Sequence, residues 1–145
     1  MAVRLSLVGS RGPLRRWALP LVAVGAIAAC ADVDDRPADW GYVHAAVIAP
    51  ACATVGCHST AAAVAGLDLS SRTGAYTFLT GRICGEPLSP GSPPRSYVAP
   101  GSPGYSQVVY QLRGEGRNRM PPDGPLPEDE IRLVERWILE GATCE

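Results

Sequence analysis

Cys52-Ala53-Thr54-Val55-Gly56-Cys57-His58 sets two thiols and an imidazole close together, with the histidine directly after the second cysteine. In that order each thiol can add across one vinyl group of a haem to form a thioether, and the adjacent histidine is then held under the iron as its proximal ligand. The common attachment motif has two residues between the cysteines. This chain has four, Ala53 to Gly56. Two of them must loop outward for both sulfurs to reach their vinyl carbons, and Gly56, free to take a positive φ, suits that turn.

Two other chemistries use the same cluster. Zinc ligation tolerates a four-residue gap and would take His44 as a fourth ligand, but adjacent Cys57 and His58 would both have to turn toward one tetrahedral ion. A plain disulfide between Cys52 and Cys57 suits an oxidising compartment, yet leaves His58 without a role. The haem reading gains from Met120, the only methionine besides the initiator, in Arg119-Met120-Pro121-Pro122-Asp123-Gly124-Pro125-Leu126-Pro127. Core methionines lie on apolar periodic faces. This one lies among Arg, Pro, Asp and Gly, on a loop stiffened by four prolines, as a distal thioether ligand would. His44 is its one rival for the sixth position, but it falls on an apolar helical stripe and reads as a core or haem-edge residue.

With these residues the sequence resembles a small single-haem class I cytochrome c domain, related to the planctomycete-type domains of bacterial secreted proteins. The matching pieces are Cys52 to His58, Ala65-Gly66-Leu67-Asp68-Leu69, Tyr97-Val98-Ala99-Pro100-Gly101-Ser102-Pro103 and Arg119-Met120-Pro121. Glu130-Ile131 through Trp137-Ile138-Leu139-Glu140-Gly141-Ala142 closes the match, which spans about Trp40 to Ala142. The resemblance implies an all-α, cytochrome c-like fold of four to five short helices around one haem c. It also implies first and last helices that cross and pack together.

Covalent haem attachment takes place outside the cytoplasm, and the N-terminus agrees. Arg4, Arg11, Arg15 and Arg16 precede an apolar run of 13 residues, Trp17 to Ala29, too short to span a bilayer and suited to a signal-peptide core. Ile27-Ala28-Ala29-Cys30 is similar to a lipoprotein cleavage site, with Cys30 taking lipid and becoming the new first residue. The expected organisation is a signal peptide over 1–29, an acidic tether over 30–38 and a cytochrome c-like domain over 39–145. With lipid and haem claiming Cys30, Cys52 and Cys57, the two remaining cysteines, Cys84 and Cys144, are expected to pair. The chain has no lysine, and the part after residue 29 carries 9 Arg against 14 Asp and Glu, which argues against nucleic acid as a partner.

Five elements must position these groups. Asp39 caps a first helix over Trp40 to Ala49, with Trp40, Val43, Val47 and Ile48 on its apolar face and Pro50 as its stop. Ser59 to Val64 suits one helical turn, and Ser71 to Thr80 a helix closed by Gly81. Residues 81–101, with Pro87, Pro90, Pro93, Pro94 and Pro100, read as a long loop. Ser102 caps the next helix, Pro103 opens it, Tyr105, Val108, Val109 and Leu112 form its stripe, and Gly114 ends it. The last starts at Pro127, carries Glu128, Asp129 and Glu130 in its first turn, buries Ile131, Val134 and Ile138, and stops at Gly141.

The expectation is a one-electron carrier, not an enzyme, lipid-anchored in the periplasm or cell envelope. Its partners would be redox proteins and, through Cys30, the membrane, with no nucleic acid and no small-molecule substrate. The alternative is a haem-free lipoprotein interaction module with Cys52 and Cys57 in a disulfide. A sensor or peroxidase-like haem protein would differ from the carrier in an open sixth position, with Met120 unbound.

Overall fold

The computed structural model describes residues 35–86, 97–116 and 118–145. The expected signal peptide, Cys30, the start of the tether, Pro87 to Pro94 and Arg117 lie outside the described residues. Arg36, at the end of the expected tether, already touches the domain: its guanidinium donates to Asp129 O at 2.8 Å and its carbonyl accepts from Arg136.

Asp39 accepts the Tyr42 N–H at 2.8 Å, as a helix cap should. The helix it opens has three joined segments, α-helical Trp40–Val43, π-helical His44–Ile48 and α-helical Ala49–Cys52. Residues 40–52 are here called α1. Pro50 does not stop it, contrary to the sequence expectation. The π segment shifts the ladder to a five-residue step just before the proline, with Ala49 N–H donating to His44 O. That wider spiral relieves the clash a proline ring makes with the carbonyl four residues back. The consequence is functional geometry: Cys52 is the last residue of a helix rather than part of a loop.

The second helix, α2 (Arg72–Thr80), begins where Ser71 Oγ accepts the Gly74 N–H at 3.1 Å and ends at Gly81, at φ +70°. Ahead of it the expected helical turn over Ser59 to Val64 is replaced by tight turns and a short 3-10 turn at Val64–Gly66. The helix expected from Pro103 is broken in two, a 3-10 turn Pro103–Tyr105 and then α3 (Gln107–Leu112). Ser106 makes the break, extended at φ −90° and ψ 114°, because its buried hydroxyl accepts the Ala99 N–H at 2.9 Å and donates to Ser102 O at 3.0 Å. Tyr105 is thereby turned out to solvent, 86% exposed, while Val108, Val109 and Leu112 are buried as the stripe requires.

The last helix, α4 (Glu128–Leu139), has its three carboxylates in the first turn and buries Ile131, Leu133, Val134, Trp137 and Ile138. Arg113, at the end of α3, ties it in through Glu128 and Glu135, each at 2.9 Å. The first and last helices pack through Trp40 and Trp137, whose ring centroids lie 4.8 Å apart. The polar atoms of three buried aromatic side chains each find a carbonyl: Trp40 Nε1–H donates to Arg72 O, Trp137 Nε1–H to Thr143 O and Tyr76 O–H to Ala142 O, at 2.9, 2.8 and 3.0 Å. Cys84 and Cys144 are joined in a disulfide with Cα atoms 5.6 Å apart. Among the described residues the fold is all-α, with no strand and no helix long and apolar enough to cross a membrane.

Candidate functional site

The end of α1 fixes Cys52, and a turn over Thr54 to Cys57, closed by Cys57 N–H to Thr54 O at 3.0 Å, carries the chain away and back. Gly56 takes φ +95° in that turn, and Val55 beside it is 93% exposed at the tip. The extra residues of the gap therefore loop outward, as the spacing requires. His58 N–H then donates to Cys52 O at 3.1 Å, which returns the imidazole to the helix end.

The His58 ring is oriented from behind. Its Nδ1 lies 3.1 Å from Val64 O, and a carbonyl can only accept, so Nδ1 carries the proton, which in the neutral ring leaves the lone pair on Nε2. This is the tautomer an iron-binding imidazole needs, with the carbonyl acting as the outer partner that increases its donor strength. Val64 is held there by its own N–H to Cys57 O at 3.0 Å and by Leu69 N–H to His58 O at 2.8 Å. Wrapping the segment this tightly puts Ala63 and Ala65 at φ +41° and +60°, a region alanine rarely visits.

Met120 arrives from the other end of the chain. Its N–H donates to Gln111 O at 3.1 Å and Leu126 N–H to Leu112 O at 3.0 Å, so the proline-stiffened loop is fastened to α3 at two points. Arg119 donates to Pro122 O within the same loop at 2.6 Å.

Cys52, Cys57, His58 and Met120 line one cavity of about 140 Å³, whose remaining walls are Ala51, Gly56, Val64, Pro121 and Pro122. A second cavity of about 280 Å³ shares Cys52, His58 and Met120 and runs inward past Leu67, Leu69, Phe78 and Tyr97, with Gln111 and Asn118 as its polar side chains. A thiol, an imidazole and a thioether thus stand at the junction of two apolar spaces. Cys52 and Cys57 are free thiols. Burial pushes the Cys52 thiol up to about 11, helped by charge on Cys57 and Glu130, which favours its protonated form.

Whether these residues fit a haem can be judged from the donor set. Among the described residues no three His, Cys, Asp or Glu side chains are placed to hold a metal ion, so the zinc reading lacks its ligands. A haem brings its own four nitrogens and asks the protein for two axial donors, two thiols and apolar walls. All are present at the two cavities. His44 is not among them: its Nε2 bonds Leu69 O at 3.0 Å, and its ring lies against Trp40 with centroids 5.6 Å apart.

Val64, which orients His58 through its carbonyl, and Phe78, which walls the inner cavity, were given no role by the sequence, and Tyr97, beside Phe78, entered only within a piece matched by the resemblance. A carbonyl acceptor has no residue-type signature. Phe78 and Tyr97 meet only through tertiary packing, with centroids 5.4 Å apart. No family model, curated protein or solved structure matches this chain.

Proposed function

We propose that the chain is a lipid-anchored, extracytoplasmic single-haem c-type cytochrome that carries one electron between redox proteins. The observation that carries the proposal is the common lining of one apolar cleft by Cys52, Cys57 and His58 together with Met120, which the sequence places far from them. When bound, the haem supplies the one-electron iron couple. Cys52 and Cys57 would hold it through their sulfurs, with His58 Nε2 and Met120 Sδ as the iron donors. With both iron donors supplied by the chain, no position on the iron would be left for a substrate, which favours a carrier over an oxidase. The Met120 thioether and the apolar walls both favour the less charged ferrous state and raise the potential relative to two imidazoles in a wetter site. The disulfide alternative is disfavoured by the free thiols of Cys52 and Cys57. The envelope location and the lipid on Cys30 rest on the N-terminal sequence.

The test is covalent haem. Expressed in a host with haem-attachment machinery, the wild-type band on a denaturing gel should stain for haem-linked peroxidase, and replacing both cysteines with serine should abolish the stain. A wild-type polypeptide of haem-free mass would refute the proposal, and a single-thioether product would show that the long gap defeats one bond. Met120→Ala should remove the weak far-red charge-transfer band of ferric thioether ligation and lower the midpoint potential. If it changes neither, while His44→Ala changes both, His44 is the sixth ligand.

A further inference from the structure

His44 takes no part in the cleft, yet two hydrogen bonds join it to the residue that does. It is buried at the start of the π segment of α1, and its Nε2 lies 3.0 Å from Leu69 O. A carbonyl accepts, so Nε2 bears the proton and donates. The Leu69 N–H in turn donates to His58 O at 2.8 Å. The segment 58–69 is therefore fastened to α1 at both ends, by His58 N–H to Cys52 O at 3.1 Å and by His44 to Leu69 O. Between these ends lies Val64 O, the acceptor of the His58 Nδ1 proton, flanked by Ala63 and Ala65 at positive φ. Backbone in that region persists only where its surroundings restrain it, and His44 supplies such a restraint from outside the segment.

We infer that His44 is a positioning residue for His58: by donating to Leu69 O it keeps the 58–69 segment closed on α1, so that Val64 O stays on Nδ1 and Nε2 stays free to bind. The inference rests on the reading of His58 as the proximal iron ligand. It assigns His44 a role in tuning that ligand rather than in replacing Met120.

Three variants test it. His44→Gln can place an amide N–H where Nε2 stands, His44→Asn is too short to reach Leu69 O, and His44→Leu removes the donor. Two signals are read by nuclear magnetic resonance on the purified full-length chain, haem-loaded or not as the host delivers it, so they judge His44 separately from the cytochrome reading. These are the exchange rate of the Leu69 amide and the Nδ1–H resonance of His58. In His44→Asn and His44→Leu the Leu69 amide should exchange about tenfold faster, the loss of one ordinary hydrogen bond, and the Nδ1–H signal should broaden or vanish. His44→Gln should restore both. In loaded protein the midpoint potential should rise in His44→Asn, since a weaker Nδ1–H bond makes the imidazole a poorer donor to ferric iron, while the far-red thioether band is retained. Wild-type exchange and an unchanged Nδ1–H signal in a folded His44→Asn would overturn the inference, as would a folded His44→Gln that restores neither.

Discussion

Burial at the end of α1 pushes the Cys52 thiol up to about 11, and the neighbouring negative charge of Cys57 and Glu130 acts in the same direction. A folded value above the unfolded 9.0 means that the protonated thiol is the form the fold accepts. Its contribution to stability is present in full below about pH 9 and is lost as the pH rises through 11. In chain made without haem, the denaturation midpoint should therefore fall between those values, and Cys52→Ala should lack that component of the fall. At pH 8 Cys52 should alkylate about tenfold or more slowly than in the denatured chain, the scarcity of thiolate being only partly offset by its stronger nucleophilicity. Equal rates would show that the thiol is not buried. At this scale the site was largely legible in the sequence, because thiol, imidazole and thioether are side-chain chemistry, and Gly56 announced the turn at φ +95° that lets the long gap loop out. Val64 O, which decides the His58 tautomer, was not legible, because every residue has a carbonyl.

At the scale of elements, local rules placed the boundaries that local chemistry controls. Asp39 and Ser71 cap their helices, Gly81 ends α2 in the left-handed region, and the acidic first turn opens α4. Two boundaries are misplaced for reasons that capping and proline rules do not carry. The π segment carries α1 past Pro50, and Ser106 divides a stripe that looked continuous because its hydroxyl is claimed by Ala99 and Ser102. Ser106→Ala should consequently cost about 1–2 kcal/mol, since it leaves the Ala99 N–H without its acceptor in a partly buried site. Ser106→Thr keeps the hydroxyl and tests whether the extra methyl group is tolerated. Urea denaturation of the variants measures the loss, and an alanine variant as stable as wild type would show that the break in the helix is not held by this side chain.

Over the whole molecule, the chain end is fastened to the core by side chains and by a covalent bond at once. Tyr76 O–H, Arg82 and Trp137 Nε1–H donate to the carbonyls of Ala142, Gly141 and Thr143, and Cys84 is bonded to Cys144. The pairing was expected because only these two cysteines were left over. The packing of Trp40 on Trp137 was expected from the resemblance alone, since no spacing rule says which two distant helices meet. With a sequence separation of 60 residues, the bond removes unfolded-state entropy worth about 4 kcal/mol in the chain-entropy model. That is about a quarter or more of the stability of an ordinary small domain, about 5–15 kcal/mol. Cys84→Ser with Cys144→Ser should therefore lower stability by about 3–4 kcal/mol, measured by urea denaturation, and reductant should bring the wild type to the same midpoint. Peptide mapping without reductant should recover the linked pair, whereas labelling of both residues by a free-thiol reagent would rule the bond out. Ala142 is fully buried and Thr143 O holds the Trp137 indole, so loosening of the tail reaches the pair of tryptophans that joins the first and last helices. Tryptophan fluorescence should accordingly shift on reduction before the helical signal is lost. If the two change together, the tail and the helix pair unfold as one unit, and the clamp at Ala142 is as much a part of the core as the helices it closes.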